Sequence, residues 1–295
     1  MGKQVLYNDR VTIELYKQRK EFFNQTYIHP ENGKTISSGY RSTQVRVPAK
    51  GAEVDTQTSY VLPLAFDIVN QESKALFVDN FLYTLSRNNR TDQGVDCPPY
   101  SLMTGFIGTA WINKALSENL KHEEAYHLLQ QSTYPSWLYP VDQGATTIWE
   151  RLNSYTHVDG FGNNNRMNSF NHYSFGAVGA WMYEDSLGIQ RIEDFPGFKH
   201  FVLAPEIDPT GEMTYAYGHY DSMYGRIESR WEIVNNQVIY EFVVPANTTA
   251  TLYIPASYQL QNKKTGRMKK MGTAANKAVL LLQSGRYSFV VPCEH

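Results

Sequence analysis

Apolar residues recur at helical spacing along the first part of the chain and at alternating positions along the last part. Val11 and Leu15 stand four apart, and Tyr60, Leu64 and Ile68 repeat that interval. Ala75, Val78, Leu82 and Leu85 follow the three-and-four spacing of one helix face, as do Ile107, Trp111 and Ala115. Ala125, Leu128 and Leu129 form another stripe, and Phe175, Val178 and Met182 a last one that ends on the polar Asp185. The segment around Ile148 is a weaker helix candidate. Together these predict about seven helices between residues 5 and 186, with Gly, Pro, Ser and Asn in the joints.

After Gly188 the period becomes two. Ile227, Ser229, Trp231 and Ile233 alternate with Arg226, Glu228, Arg230 and Glu232. Asn235-Asn236 then predicts a turn, and Val238, Tyr240, Phe242 and Val244 one face of the next strand. Thr249, Thr251 and Tyr253 alternate with Ala250, Leu252 and Ile254, and Tyr287, Phe289 and Val291 suggest a closing strand. Short strands at this spacing predict an antiparallel β-sandwich. Gly188, Pro196 and Gly197 punctuate the change of period. The reading is therefore a helical domain over residues 1–190 and a sandwich over 191–295.

Composition narrows the function classes. At 42% hydrophobic and 19% charged, the chain suits a globular protein, and its net charge of −2 favours neither nucleic acid nor an anionic membrane. No apolar run approaches membrane-spanning length, and the opening Met1-Gly2-Lys3-Gln4 lacks the apolar core of a secretory signal. Two cysteines, Cys97 and Cys293, argue against a disulfide scaffold and point to the cytoplasm. Asn247-Thr248-Thr249 is a glycosylation sequon, read here as strand-edge chemistry. His122 and His127 are five apart, a poor metal spacing, so no metal and no cofactor are expected. Glu53 and Asp55 precede a helix and suit a capping role. The basic run Lys263, Lys264, Arg267, Lys269 and Lys270 reads as a solvated hairpin loop. Aromatics reach 14%, with 21 Tyr, which serves either a large core or the stacking of rings on sugar faces.

Candidate chemistry concentrates between Tyr134 and Tyr183. Gly144-Ala145-Thr146-Thr147-Ile148 precedes Trp149-Glu150-Arg151, so a loop of mostly small residues brings a carboxylate up beside an indole. A Glu against a Trp face is partly desolvated, which raises its pKa and suits it to proton transfer. Asn168, Asn171 and His172 supply donors and acceptors of the kind that orient sugar hydroxyls. The residues equally allow a core Trp beside a surface Glu paired with Arg151, and a His172 that caps a helix.

The strings Gly144–Arg151 and Asn168–Gly179 resemble two signatures of the α-L-rhamnosidases of glycoside hydrolase family 78. Asp55-Thr56-Gln57-Thr58-Ser59-Tyr60, Thr104-Gly105-Phe106-Ile107-Gly108-Thr109, Ala204-Pro205-Glu206, Ser222–Ile227 and Val244–Ala250 match in the same order. The resemblance implies part of an (α/α)6 helical barrel followed by the sandwich. It also implies hydrolysis of terminal α-L-rhamnosides with inversion, so the expected partners are rhamnose-containing glycosides. It places Glu150 at the general base and His172 at a rhamnose contact. Trp149, and more weakly Trp137, become candidate walls for the sugar, with Asn171 a candidate hydroxyl partner.

One family feature is absent. The general acid belongs to an acidic loop that opens Asp-Cys-Pro and continues with Gln, Arg, Asp and Glu. Here Asp96-Cys97-Pro98 is followed by Pro99-Tyr100-Ser101 and stands out of order, so that match reads as chance. A closed ring of six helical hairpins also needs twelve helices, against about seven predicted. The expectation is a fragment, split product or truncated relative, completed by self-association or by a missing N-terminal half. The alternative function is a non-catalytic carbohydrate-binding relative.

Overall fold

A computed structural model describes residues 9–40, 47–91, 94–162, 166–261 and 265–293. The chain divides into two compact units between Ala177 and Val178.

The first unit is helical. Its elements are α1 (Asp9–Tyr27), α2 (Gln57–Ala65), α3 (Gln71–Ser86), a small hairpin of β1 (Asn89–Arg90) and β2 (Asp96–Cys97), α4 (Phe106–Thr109), α5 (Ile112–Glu118), α6 (His122–Gln130) and α7 (Leu138–Asp142). The start of α2 is set by Thr56, whose hydroxyl accepts from Ser59 N while Ser59 Oγ accepts from Thr56 N, a reciprocal capping box. Capping therefore falls to Thr56 rather than to Glu53 or Asp55. Asp55, at φ 43°, instead accepts from Tyr60 Oη at 2.6 Å and pairs with Arg87 at 2.7 Å, which ties α2 to the residue ending α3.

Tyr60 is fully buried against Phe77 and Phe81, with ring centroids 4.9 and 6.4 Å away. These large rings decide how α3 is rotated. Its buried face is Phe77, Val78, Phe81, Thr84 and Leu85, while Ala75, in the expected stripe, is exposed. The expected helix through Ile107, Trp111 and Ala115 is broken into α4 and α5. Gly108 faces inward, where a Cβ would sit 2.5 Å from Thr58 Oγ1, and Ile107 is left 69% exposed. Along α6, Ala125 and Leu128 are fully buried, as their spacing predicts. Ile148 is not helical; it lies in an irregular segment and is exposed. On α1, Ile13, Leu15 and Phe22 are exposed.

The second unit opens with the single turn α8 (Val178–Trp181), which widens into a π-helical turn over Met182–Ser186. The stripe from Phe175 to Asp185 is thus not one α-helix. Trp231 Nε1 donates to Ser186 O at 2.8 Å and Ser229 Oγ to Leu187 O at 2.6 Å. These bonds clamp the strip onto the sheet, so contacts group residues 178–190 with the sheet, ahead of the division expected at 190.

The sheet comprises β3 (Ile189–Arg191), β4 (His200–Leu203), β5 (Tyr215–Ser222), β6 (Gly225–Val234), β7 (Gln237–Pro255), β8 (Gln259–Leu260), β9 (Met268–Ala274) and β10 (Lys277–Pro292). The alternation is obeyed closely. Ile227, Ser229 and Trp231 are fully buried, and so nearly are Val238, Tyr240, Phe242, Ala250, Leu252 and Ile254. Asn235 and Asn236, both at positive φ, make the two-residue turn between β6 and β7. The long strands β7 and β10 pair in two stretches, 237–244 with 285–292 and 249–255 with 277–283, separated by a break in register. Strand β6 pairs with the first half of β7 and β4 with the second, so two leaves share one long ribbon. All pairings are antiparallel except β4 with β7. Of the basic run, Lys269 and Lys270 lie in β9 rather than in a loop; Lys263 and Lys264 lie outside the described residues.

Candidate active site

Two irregular segments of the first unit run side by side. Glu150 N donates to Ser169 O at 2.9 Å, and His172 N donates to Ile148 O at 2.8 Å. Thr147 Oγ1 also donates to Phe170 O. These bonds bring the two most distinctive strings of the sequence, Gly144–Arg151 and Asn168–Gly179, onto adjacent backbone stretches. Glu150 is pinned further, because Ser169 N donates to its Oε2 at 2.9 Å. A backbone N–H directed at a carboxylate is a charge-assisted bond and fixes the side chain's direction.

Glu150 lines a cleft of about 520 Å³ together with Arg90, Thr104, Phe106, Tyr134, Arg151 and Phe175 among others. Loop 101–106 forms one wall and is placed by a buried side chain. Gln57 Nε2 donates to Ser101 O at 2.9 Å, and Met103 N donates to Gln57 Oε1 at 2.9 Å. Glu150 is the only carboxylate among the residues lining this cleft, considering the described residues. Burial pushes the Tyr134 phenol above its ordinary value, so near neutral pH it remains a protonated hydrogen-bonding group at the cleft wall. Asp96 does not line the cleft; its side chain is 86% exposed and pairs with Arg90 at 3.3 Å.

The other expected site residues fall in different places. His172 is half-buried, stacks on Phe106 with centroids 4.7 Å apart, and its Nδ1 accepts from Ser174 N at 3.4 Å. Through Phe106 it adjoins the cleft. Trp149 is buried and meets Phe170 edge-on at 5.2 Å and Tyr155 at 6.5 Å. With the exposed Phe161 these rings form an aromatic cluster, so Trp149 anchors the backbone that carries Glu150. Trp137 is buried and donates Nε1–H to Phe175 O at 2.9 Å. Neither indole lines the cleft. Asn171, next to His172 in sequence, is exposed, with its backbone N–H on Ser169 Oγ at 3.2 Å. Reading from residue chemistry missed Phe106, Tyr134, Arg90 and Arg151 as wall residues. Phe106 sat inside a string already singled out, but nothing in a Thr-Gly-Phe run indicates that its ring will support a histidine 66 positions away.

The bacterial alpha-L-rhamnosidase 6 hairpin glycosidase domain matches residues 13–185, and the bacterial alpha-L-rhamnosidase C-terminal domain matches residues 188–269. An alpha-L-rhamnosidase of Formosa agariphila is 39% identical over 241 residues, 79% of this chain and 24% of that protein. One from Streptomyces avermitilis is 36% identical over 204 residues, 69% of this chain and 18% of that protein. Among solved structures, Streptomyces avermitilis alpha-L-rhamnosidase complexed with L-rhamnose superposes with a TM-score of 0.76 at 30% identity, over 96% of this chain and 24% of that one. An alpha-L-rhamnosidase from Aspergillus terreus gives 0.72 at 25% identity, over 96% and 27%. The chain thus spans about a quarter or less of the length of the relatives it matches.

Proposed function

Since the chain belongs to the bacterial α-L-rhamnosidase six-hairpin glycosidase family, we propose that it carries the general-base side of a glycoside hydrolase site that releases terminal L-rhamnose with inversion. The observation that carries this reading is Glu150, pinned by Ser169 N at the wall of a cleft and adjoined by His172 on the neighbouring segment. In an inverting reaction one carboxylate takes a proton from water as the water attacks the anomeric carbon. A second carboxyl, roughly 6.5–9.5 Å away, protonates the departing oxygen. Glu150 is the base in this scheme, and the fixed Oε2 leaves its carboxylate a defined orientation toward the cleft. His172, held by Phe106, contacts a sugar hydroxyl. Trp149 acts through the loop it anchors, and Trp137 through its bond to Phe175 O. The acid comes from outside the cleft residues described here, in keeping with the single carboxylate among them.

A chimera tests this directly. This chain replaces the matching 241-residue segment of the Formosa agariphila relative, and release of L-rhamnose from an aryl α-L-rhamnoside is followed by NMR of the anomeric product. The expected result is hydrolysis with inversion that disappears in Glu150→Gln. Titration of the chain alone with L-rhamnose, against His172→Ala, is the companion measurement. A chain that binds L-rhamnose within a folded chimera that never hydrolyses the glycoside would shift the reading to a non-catalytic carbohydrate-binding protein.

A further inference from the structure

The second unit carries a groove that the proposed chemistry does not use. It occupies about 590 Å³ on the face of β5, β6, β7 and β10, and its lining includes Tyr215, Tyr217, Glu228, Arg230, Glu241 and Arg286. Register decides which side chains point outward. A Cβ on Gly218 would lie 2.3 Å from Leu187 Cδ1, so even positions of β5 face the core, and Tyr215 and Tyr217 face away from it. Both rings are largely exposed, at 64% and 57%. Two neighbouring exposed tyrosines on one strand face form an aromatic platform on which the apolar face of a ligand can stack.

The charges beside the platform are paired internally. Arg230 Nη1 reaches Glu241 Oε2 at 3.0 Å and Nη2 reaches Glu232 Oε2 at 2.5 Å. Arg286 lies 3.9 Å from Glu228. Of the charged groups lining the groove, Glu228 and Glu241 offset Arg230 and Arg286. Such a surface gives no net attraction to a polyanion or a polycation. It does offer fixed N–H donors and carboxylate acceptors next to flat apolar rings. That combination matches a neutral polyhydroxylated ligand, whose C–H faces stack on the tyrosines and whose hydroxyls bond the guanidinium and carboxylate edges.

We propose that this face is a second carbohydrate-binding site, separate from the Glu150 cleft, which holds a neutral rhamnose-bearing oligosaccharide. The choice of sugar rests on the function proposed above; the location rests on the groove. Titration calorimetry of the 295-residue chain with an α-linked L-rhamnose trisaccharide tests it. Two binding components are expected, one weakened by His172→Ala at the cleft and one retained in that variant; the retained component belongs to the groove and persists when salt is raised, because the ligand is neutral. The double variant Tyr215→Ala, Tyr217→Ala is expected to raise Kd by about tenfold or more, while Tyr215→Phe, Tyr217→Phe keeps most of the affinity because the rings remain. Both tyrosines are exposed, and an unchanged melting temperature confirms that the fold survives. No binding by the parent chain, binding abolished by His172→Ala, or unchanged affinity in the alanine double variant would each overturn the proposal. None of these outcomes bears on hydrolysis by the chimera, so the two readings fail separately.

Discussion

The sheet of the second unit and the cleft of the first are held by different means. In the sheet, β7 and β10 share two long runs of backbone hydrogen bonds, and Trp231, Tyr240, Phe242 and Phe289 are sealed beneath them. In the cleft, Glu150 sits on a segment without regular structure. Ser169 bonds it, and its neighbour Trp149 packs into an aromatic cluster with Tyr155, Phe161 and Phe170. Stability in the first case comes from many equivalent contacts, any of which is felt when deleted. Position in the second comes from a few specific bonds, and the group they position contributes little to folding. Chemistry and stability should therefore separate by region.

The sharpest break is Glu150→Gln. In the chimera described above, it is expected to lower hydrolysis by about 100- to 10,000-fold, the usual range for loss of a general base. The melting temperature should hardly move, since the amide retains an acceptor for Ser169 N. A variant with full activity would return Glu150 to an ordinary surface position.

Trp231→Ala is the converse, with the effect falling on stability. A fully buried indole is removed together with its bond to Ser186 O, for an expected loss of about 3–5 kcal/mol. Denaturant unfolding measures this, and a loss below about 1 kcal/mol would show that the sheet tolerates repacking far better than its burial suggests.

Asp55→Asn probes a polar joint in the helical unit. Burial acts to raise this carboxyl, but the Tyr60 hydroxyl and Arg87 outweigh it and hold Asp55 below the usual carboxylate value. A carboxyl depressed in the folded state stabilises above its unfolded pKa, and that contribution is lost as pH falls through the folded value. The variant should cost about 1–3 kcal/mol at neutral pH. It should also flatten the acid limb of the stability curve below the ordinary carboxyl value of 3.8.

The smallest expected effect is the corresponding one in the sheet unit. His200 lies between Thr249 Oγ1 at 2.6 Å and Thr251 Oγ1 at 3.0 Å. Burial lowers its pKa from 6.5, and a hydrogen bond to Thr249 only partly opposes that. The unfolded chain takes up the proton first, so the stabilisation is complete above 6.5 and declines as pH falls through the folded value. Melting temperature followed from pH 7.5 to 5 should fall less in His200→Gln than in the parent. Identical slopes would remove His200 from the account.

How far these features were legible differs by residue. Ile227, Trp231, Val238 and Phe242 were readable because a strand places alternate residues on one face whatever their neighbours are. The pairing of Asn235-Asn236 with a turn was equally local. Glu150 and His172 were readable as candidates because their strings are distinctive, and the resemblance gave them roles. The rotation of α3, by contrast, depends on Tyr60 meeting Phe77 and Phe81, and the break between α4 and α5 depends on Gly108 touching Thr58. Those contacts join residues distant in the chain.

The sequence by itself determined the succession of a helical part and a sheet part, the buried faces of the main strands, the family, and the two strings that meet at the cleft. Only the tertiary structure decided that Trp149 and Trp137 are buried away from the cleft wall, that the Phe106 ring stacks on His172, that Asp55 joins two helices instead of capping one, and that Tyr215 and Tyr217 face outward over paired charges. The reason is physical. Periodicity reports how a segment presents its own side chains, whereas the direction of a loop residue is set by hydrogen bonds and ring contacts whose partners are remote in sequence, and no local pattern encodes a remote partner.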